Sequence, residues 1–323
     1  MSALTYIEPV RNIRYLRVSL TDGCNFRCLY CRSQIDYFPR KGLWKEEISL
    51  IVKVFSRYNL KTVRFTGGEP LLRSDIVEIV SSAGRYVEDI ALTTNGYLLK
   101  RYAEPLKGAG LKRLNVSLDS LKEEKFRHLT GGDLKIVLAG LDEAKKHFEG
   151  IKINTVAIKG FTEEEIDDLL RFAADNGFHL RFIELMPVGS LPFFEQERFL
   201  PLDWVKGYIE ERYGALEPIE RSGSGASKDY LLPALGVKVG FIKAVTEPFC
   251  EGCEKFRITP DGKLHFCLRT DREVDLKPYL HSEEALESFV PTLLRLKTES
   301  NYFIQREGFG WFSHSKSMVK IGG

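Results

Sequence analysis

Tyr15-Leu-Arg-Val-Ser-Leu-Thr-Asp-Gly-Cys-Asn-Phe-Arg-Cys-Leu-Tyr-Cys31 carries a strand-like run, Tyr15–Leu20, straight into three cysteines spaced CxxxCxxC. The chain of 323 residues has six cysteines, and the other three, Cys250, Cys253 and Cys267, group near its end. Thiols kept in clustered, ligand-like spacing read as metal ligands in a reducing compartment. A closed structural site takes four ligands, so three leave one coordination position open. Two open sites point to chemistry. Three disulfides are the alternative reading, and it requires an oxidising compartment.

Outward from that stretch, five more strand-like runs follow: Thr62–Thr66, Asp89–Thr93, Lys112–Leu118, Ile151–Ile158 and His179–Glu184. Amphipathic segments separate them. After Asp133, for example, Leu134, Val137, Leu138, Leu141 and Phe148 fall on one helical stripe. Ser120-x-x-Glu123 and Thr162-x-x-Glu165 read as capping boxes. Repeated βα units predict a parallel sheet wound in one direction by right-handed crossovers. The expected fold is α/β, an incomplete (βα)6 TIM-like barrel two units short of closure. Active sites of such barrels sit on loops after the C-terminal ends of strands, and Cys24, Cys28 and Cys31 fall on the first of these.

The pattern changes near Met186-Pro187. Residues 1–186 are expected to form the partial barrel, and 187–323 a smaller C-terminal α+β module carrying the second cysteine group. That part holds a Gly/Ser-rich loop, Ser222-Gly-Ser-Gly-Ala-Ser227, and a predicted hairpin. In the hairpin, Phe256–Thr259 and Lys263–Cys267 flank the turn residues Pro260-Asp261-Gly262, which brings Cys267 back beside Cys253.

Composition is that of an ordinary soluble globular protein, with 43% hydrophobic and 28% charged residues. A net charge of +2 argues against a nucleic-acid-binding surface and still allows a local basic pocket for a small anion. The opening MSALTYIEPVRN lacks a signal-peptide pattern, and no apolar run approaches the ~18 residues of a membrane span. A cytoplasmic protein with no membrane and no nucleic-acid partner is therefore expected. The six histidines show no paired ligand spacing.

With an aromatic before its third cysteine, the CxxxCxxC loop resembles the radical S-adenosylmethionine (SAM) superfamily. There, three cysteines hold a [4Fe–4S] cluster and SAM chelates the fourth iron. Soft thiolates suit such a cluster, and a missing ligand frees one iron. A zinc knuckle or an electron-transfer cluster is the alternative, although the fourth cysteine and following proline of bacterial ferredoxins are absent. Thr66-Gly-Gly-Glu-Pro70, after Val63-Arg64-Phe65, resembles the motif that meets the methionyl amine of SAM. Its glycines permit close backbone approach, and its carboxylate is of the type that takes an ammonium group.

Thr93-Thr-Asn-Gly96, Asn115-Val-Ser-Leu-Asp-Ser120, Arg181-Phe-Ile-Glu-Leu-Met186, the second triplet and the final Ile321-Gly-Gly323 extend the resemblance. Together they look like the MoaA family of radical SAM GTP 3′,8-cyclases, which begin molybdenum-cofactor biosynthesis, over essentially the whole chain. The resemblance implies two [4Fe–4S] clusters, one on Cys24, Cys28 and Cys31, the other on Cys250, Cys253 and Cys267. It places SAM contacts on Tyr30, Gly68, Ser117 and Met186. GTP contacts fall on Arg17, Arg64, Thr93, Lys152, Lys255, Phe256 and Arg257, with Lys159 a competitor of Lys152. The implied partners are GTP, a one-electron donor of flavodoxin or ferredoxin type, and a downstream cyclic pyranopterin monophosphate synthase; a homodimer stays open. In the family the Gly-Gly tail reaches the active site.

Departures from the family pattern fall at three places. Gly23 precedes the first cysteine where arginine is common, Arg32-Ser33 follows the third where Met-Pro is usual, and Lys255 replaces an arginine. Lysine keeps that charge and loses the bidentate fork. Two rivals stand beside this reading: a peptide-modifying radical SAM enzyme with more C-terminal cysteines, and a metal-binding nucleic-acid module with four-ligand sites.

Overall fold

A computed structural model describes residues 12–31, 42–187, 196–220, 225–247 and 253–306. Its first part repeats one unit: β1 (Tyr15–Ser19), α1 (Lys45–Ser56), β2 (Thr62–Thr66), α2 (Ile76–Ala83), β3 (Asp89–Thr94), α3 (Leu99–Gly108) and β4 (Arg113–Ser117). It continues through α4 (Glu123–Thr130), α5 (Leu134–Ala144), β5 (Lys152–Ala157), α6 (Ile166–Asn176) and β6 (His179–Glu184). Then come α7 (Leu202–Tyr213), β7 (Glu217–Pro218), β8 (Lys228–Leu232), β9 (Val237–Ile242), β10 (Lys255–Ile258), β11 (Lys263–His265), β12 (Glu273–Asp275) and α8 (Glu283–Arg306).

The six expected strands form within one or two residues of their predicted limits and pair in parallel from β1 to β6. Alternation along each strand divides them into two faces. Leu16, Val18, Val63, Phe65, Ile90, Leu92, Leu114, Val116, Ile153, Leu180 and Phe182 are buried with the apolar faces of the helices. Each such side chain contributes roughly 1.5–3 kcal/mol of burial free energy, so this outer layer holds the barrel together. The opposite face carries Tyr15, Arg17, Arg64, Thr93, Asn115, Lys152 and Arg181. The barrel lumen is polar.

The C-terminal part joins the same sheet at both edges. β10 pairs in parallel with β1, and β9 pairs in parallel with β6, giving the order β12-β11-β10-β1-β2-β3-β4-β5-β6-β9-β8-β7. Eight adjacent strands are thus parallel, and two that the helix–strand alternation does not announce flank the six that it does. The chain leaves β9 at one edge of the parallel strands, through residues 243–247, and enters β10 at the other. Glu184 anchors the start of this connection, accepting from the Val245 and Thr246 amides at 2.8 and 2.9 Å.

The hairpin forms as expected. β10 and β11 pair antiparallel with Arg257 opposite His265, and Gly262 turns the chain at φ +84°, where glycine has no steric cost. Neither expected capping box forms. Ser120 Oγ instead accepts from the Lys122 amide at 3.0 Å and donates to Glu165 at 2.9 Å. Thr162 Oγ1 accepts from the Ile158 amide at 2.8 Å and donates to the Val156 carbonyl at 3.2 Å. These side chains tie one strand-end loop to another, and α4 and α6 begin later, at Glu123 and Ile166. The loop residues 221–224 lie outside the described residues.

Candidate active site

The cysteine loop is built against α4 and the loop that holds Tyr97. Phe26 is 3% exposed and meets Tyr97 and Phe126 edge-on, with ring centroids 5.9 Å apart in each pair. The Arg27 amide donates to the Thr130 carbonyl at 2.7 Å and the Leu29 amide to Leu129 at 2.9 Å. This seats Cys24, Cys28 and Cys31, all unbridged and partly exposed, just past the C-terminal end of β1. Burial holds the Cys28 thiol well above its ordinary pKa, and charge on Cys31, Asp119 and Cys24 adds to the effect. The three thiols therefore lie within electrostatic reach of one another, although among the described residues no group of three ligating side chains closes on a single metal ion. Their donor chemistry and the missing fourth ligand fit an iron–sulfur cluster with one free iron.

The Gly-Gly turn lies directly under this loop. The Gly68 amide donates to the Thr21 carbonyl at 2.6 Å and the Glu69 amide to the Gly23 carbonyl at 2.8 Å. Gly23, where arginine is common in the family, is buried in this contact. The Glu69 carboxylate does not point outward to receive an ammonium group, as its motif suggested. It is fully buried and accepts from Leu71 N at 2.9 Å, Thr94 Oγ1 at 2.7 Å and Asn95 N at 2.7 Å. Burial raises its pKa to about 7, against those three bonds, which pull it down. Glu69 ties the end of β2 to the end of β3. Asn95, which that tie positions, lies 3.8 Å from Cys24 Sγ and donates to Asn25 at 2.8 Å.

Tyr30, Gly68, Ser117 and Met186 all stand at or just beyond the C-terminal ends of β1, β2, β4 and β6, on the rim that carries the cysteine loop. Tyr30 donates to Asp119 Oδ2 at 2.6 Å, and Asp119 also takes the Val156 amide at 2.9 Å. Burial lifts Asp119 to a pKa of about 6, the Tyr30 bond pulling the other way. A hydrogen-bonded collar thus runs from the cysteine loop to β5.

Below the rim, cations converge in the lumen. Register places Arg257, Arg17 and Arg64 side by side across β10, β1 and β2, with Lys255 beside Tyr15. Arg64, 7% exposed, donates to the Tyr15 hydroxyl and to Thr93 Oγ1, the latter at 3.2 Å. Burial, then Arg257 and Arg64, brings Arg17 down to a pKa of about 9, with Tyr15 opposing. Burial, then Arg181, Arg113 and Arg64, lowers Lys152 to about 8. Lys159 is exposed beyond the far end of β5, so Lys152 is the lysine that shares the lumen. Such a cluster of desolvated cations is a site for a polyanion.

Phe256 does not join this group through its side chain. It points to the other face of β10, fully buried, with Phe266 edge-on at 6.1 Å between centroids. Period-two alternation between Lys255 and Arg257 requires that. The resemblance assigns no ligand contact to Arg181, yet it faces the lumen, held by Asp229 at 3.0 Å. The same alternation, applied to His179-Leu-Arg181, carries that signal.

The second thiol group closes the other end of the lumen. Cys253 and Cys267 are unbridged, and Cys250 lies outside the described residues, as does the Gly-Gly tail. Burial lowers the pKa of Arg257, and the negative charges of Cys267 and Cys253 oppose this, so both sulfurs lie near one guanidinium. Cys24 follows β1, whereas Cys253 precedes β10, its parallel neighbour. The two thiol groups therefore sit at opposite ends of the barrel, with the cationic row between them.

Residues 18–173 match the radical SAM superfamily, and residues 178–303 match the Molybdenum Cofactor Synthesis C family. The chain is similar to the GTP 3′,8-cyclase of Alkaliphilus metalliredigens, at 38% identity over 97% of this chain and 98% of the relative. It is 40% identical to that of Thermodesulfovibrio yellowstonii, over 88% of this chain and 91% of the relative. Among solved structures, Streptococcus suis SuiB bound to its precursor peptide aligns with a TM-score of 0.65 at 15% identity, covering 87% of this chain and 67% of that one. At that identity the likeness is one of fold.

Proposed function

We propose, from the premise that this chain belongs to the GTP 3′,8-cyclase family of radical SAM enzymes, how its residues perform that reaction. The activity is conversion of GTP to (8S)-3′,8-cyclo-7,8-dihydroguanosine 5′-triphosphate, the first step of molybdenum-cofactor biosynthesis. The cofactors are [4Fe–4S] clusters and SAM. Bound at these residues, they would supply the radical chemistry that takes a hydrogen atom from GTP, and a one-electron donor with a proton would complete the dihydro product.

The chain's own part is positional and electrostatic. Cys24, Cys28 and Cys31 hold the first cluster at the rim, where Tyr30, Gly68, Ser117 and Met186 border the SAM position. Arg17, Arg64, Lys152, Lys255 and Arg257 take the triphosphate, with Thr93 and the backbone at Phe256 completing the wall. Cys253 and Cys267, with Cys250, hold the second cluster at the guanine end. One observation carries this reading: the row Arg257–Arg17–Arg64, which lies across three adjacent strands between two thiol groups. Desolvated lumen cations strengthen each contact to an anion, because little water screens them.

A one-electron donor of flavodoxin or ferredoxin type and a downstream cyclic pyranopterin monophosphate synthase complete the reading. Among the described residues, no helix is long and apolar enough to cross a membrane. The test is anaerobic reconstitution, iron and sulfide counting, then dithionite, SAM and GTP with mass spectrometry of the products. About eight irons, with 5′-deoxyadenosine and cyclised GTP formed together, is the expected result. Iron and 5′-deoxyadenosine with unchanged GTP would reject the substrate, and zinc without SAM cleavage would reject the chemistry.

A further inference from the structure

Helix α8 holds the second thiol group from outside the barrel. Lys297 is 1% exposed, and its ammonium donates to the Phe266 carbonyl and to Cys253 Sγ, the latter at 3.6 Å. It lies 5.8 Å from the centre of the Phe256 ring. One turn on, Asn301, 4% exposed, donates from Nδ2 to the Cys253 carbonyl at 3.1 Å. Residues four apart share a helix face, so one stripe of α8 grips both the sulfur and the backbone of Cys253. Through Phe266, whose carbonyl precedes Cys267, the same ammonium reaches the other side of the site.

A buried ammonium costs several kcal/mol unless a negative charge and good hydrogen bonds compensate it. A carbonyl and an aromatic face satisfy its donors and supply no net charge. Cys253 does, as a thiolate ligand. We infer that Lys297 is a positioning residue of the second cluster, whose fixed positive charge against the Cys253 thiolate favours the reduced, more negative state of that cluster. Asn301 sets the Cys253 backbone without altering charge. Lys297 reaches the ligand from the face of β10 opposite the lumen, so this control is separate from the substrate-binding cations Lys255 and Arg257.

The inference rests on the second triplet holding an iron–sulfur cluster, and its test separates the two ideas. In the full chain carrying Cys24→Ala, Cys28→Ala and Cys31→Ala, iron and an EPR signal report the second cluster alone. Absence of iron there, with Lys297 intact, would reject the cluster and with it the inference. With iron present, Lys297→Gln is expected to lower the reduced-to-oxidised ratio at fixed potential about tenfold, which is about 59 mV for one electron. Asn301→Ala is expected to leave that ratio unchanged.

A Lys297→Gln chain that keeps its iron and its potential overturns the inference, as does an equal shift in Asn301→Ala, which would assign the effect to helix packing. If Lys297→Gln loses its iron, thermal unfolding of the apo chains decides. An apo transition matching that of the unsubstituted apo chain supports a ligand clamp, and a lowered one makes Lys297 a general packing residue and overturns the assignment.

Discussion

Gly68 lies so close to Gly23 that a methyl group on its Cα would sit 2.1 Å from the Gly23 carbonyl oxygen. That oxygen belongs to the backbone that leads into Cys24, so it has little room to move. Gly68→Ala is expected to displace the cysteine loop, at a cost typical of overpacking, about 1–3 kcal/mol. SAM cleavage should fall at least tenfold while the second cluster is retained, read by 5′-deoxyadenosine formation and iron counting. Normal cleavage in the alanine variant would remove the close approach from the account.

The two thiol groups should fail differently because they stand at opposite ends of the lumen. Cys24→Ala is expected to abolish SAM cleavage. Cys267→Ala should leave some cleavage uncoupled from GTP and yield no cyclised product. Product at a normal rate from the second variant would remove the second cluster from substrate binding.

Arg257 stands in register with Arg17, next to Arg64, away from the rim that borders SAM. Removing a charge-assisted contact to phosphate costs roughly 1.5–3 kcal/mol. Arg257→Ala should therefore weaken GTP binding tenfold or more and change SAM binding little, measured by calorimetry on the anaerobic protein. Equal loss for both ligands would mean a disturbed fold.

Lys152, lowered to about 8 chiefly by burial, predicts a pH dependence. It is charged below that value and neutral above it, so GTP affinity should fall several-fold between pH 7 and pH 9. Stability of the GTP-free chain moves the other way. From about pH 8 to the ordinary lysine value near 10.4, the unfolded chain binds the extra proton, so this residue's contribution to stability rises with pH. Lys152→Arg keeps its charge over the range and should flatten the affinity profile. A profile already flat in the parent chain would take Lys152 out of the triphosphate site.

Much of the site could be read before any coordinates. Period-two alternation located the six barrel strands, and a strand feeding straight into Cys24 placed the first thiol group on the catalytic rim. The same rule, carried one residue further, separates Phe256 from Lys255 and Arg257. Ser120 and Thr162 mislead for a physical reason: a hydroxyl bonds whichever partner the fold presents, here Glu165 for Ser120 and the Val156 carbonyl and Ile158 amide for Thr162.

Local chemistry is written along the chain: strand periodicity, thiolate spacing, the turn at Gly262 and the glycines that let two backbones touch. Pairing across the chain is not. β10 lies beside β1 although some 240 residues separate Arg17 from Arg257, and an alternating strand has the same pattern at either sheet edge. Lys297 looks like any lysine on an amphipathic helix. Only packing of α8 against Phe256, Phe266 and Cys253 removes it from water and puts its charge on Cys253, because burial and electrostatic partnership belong to the assembled chain.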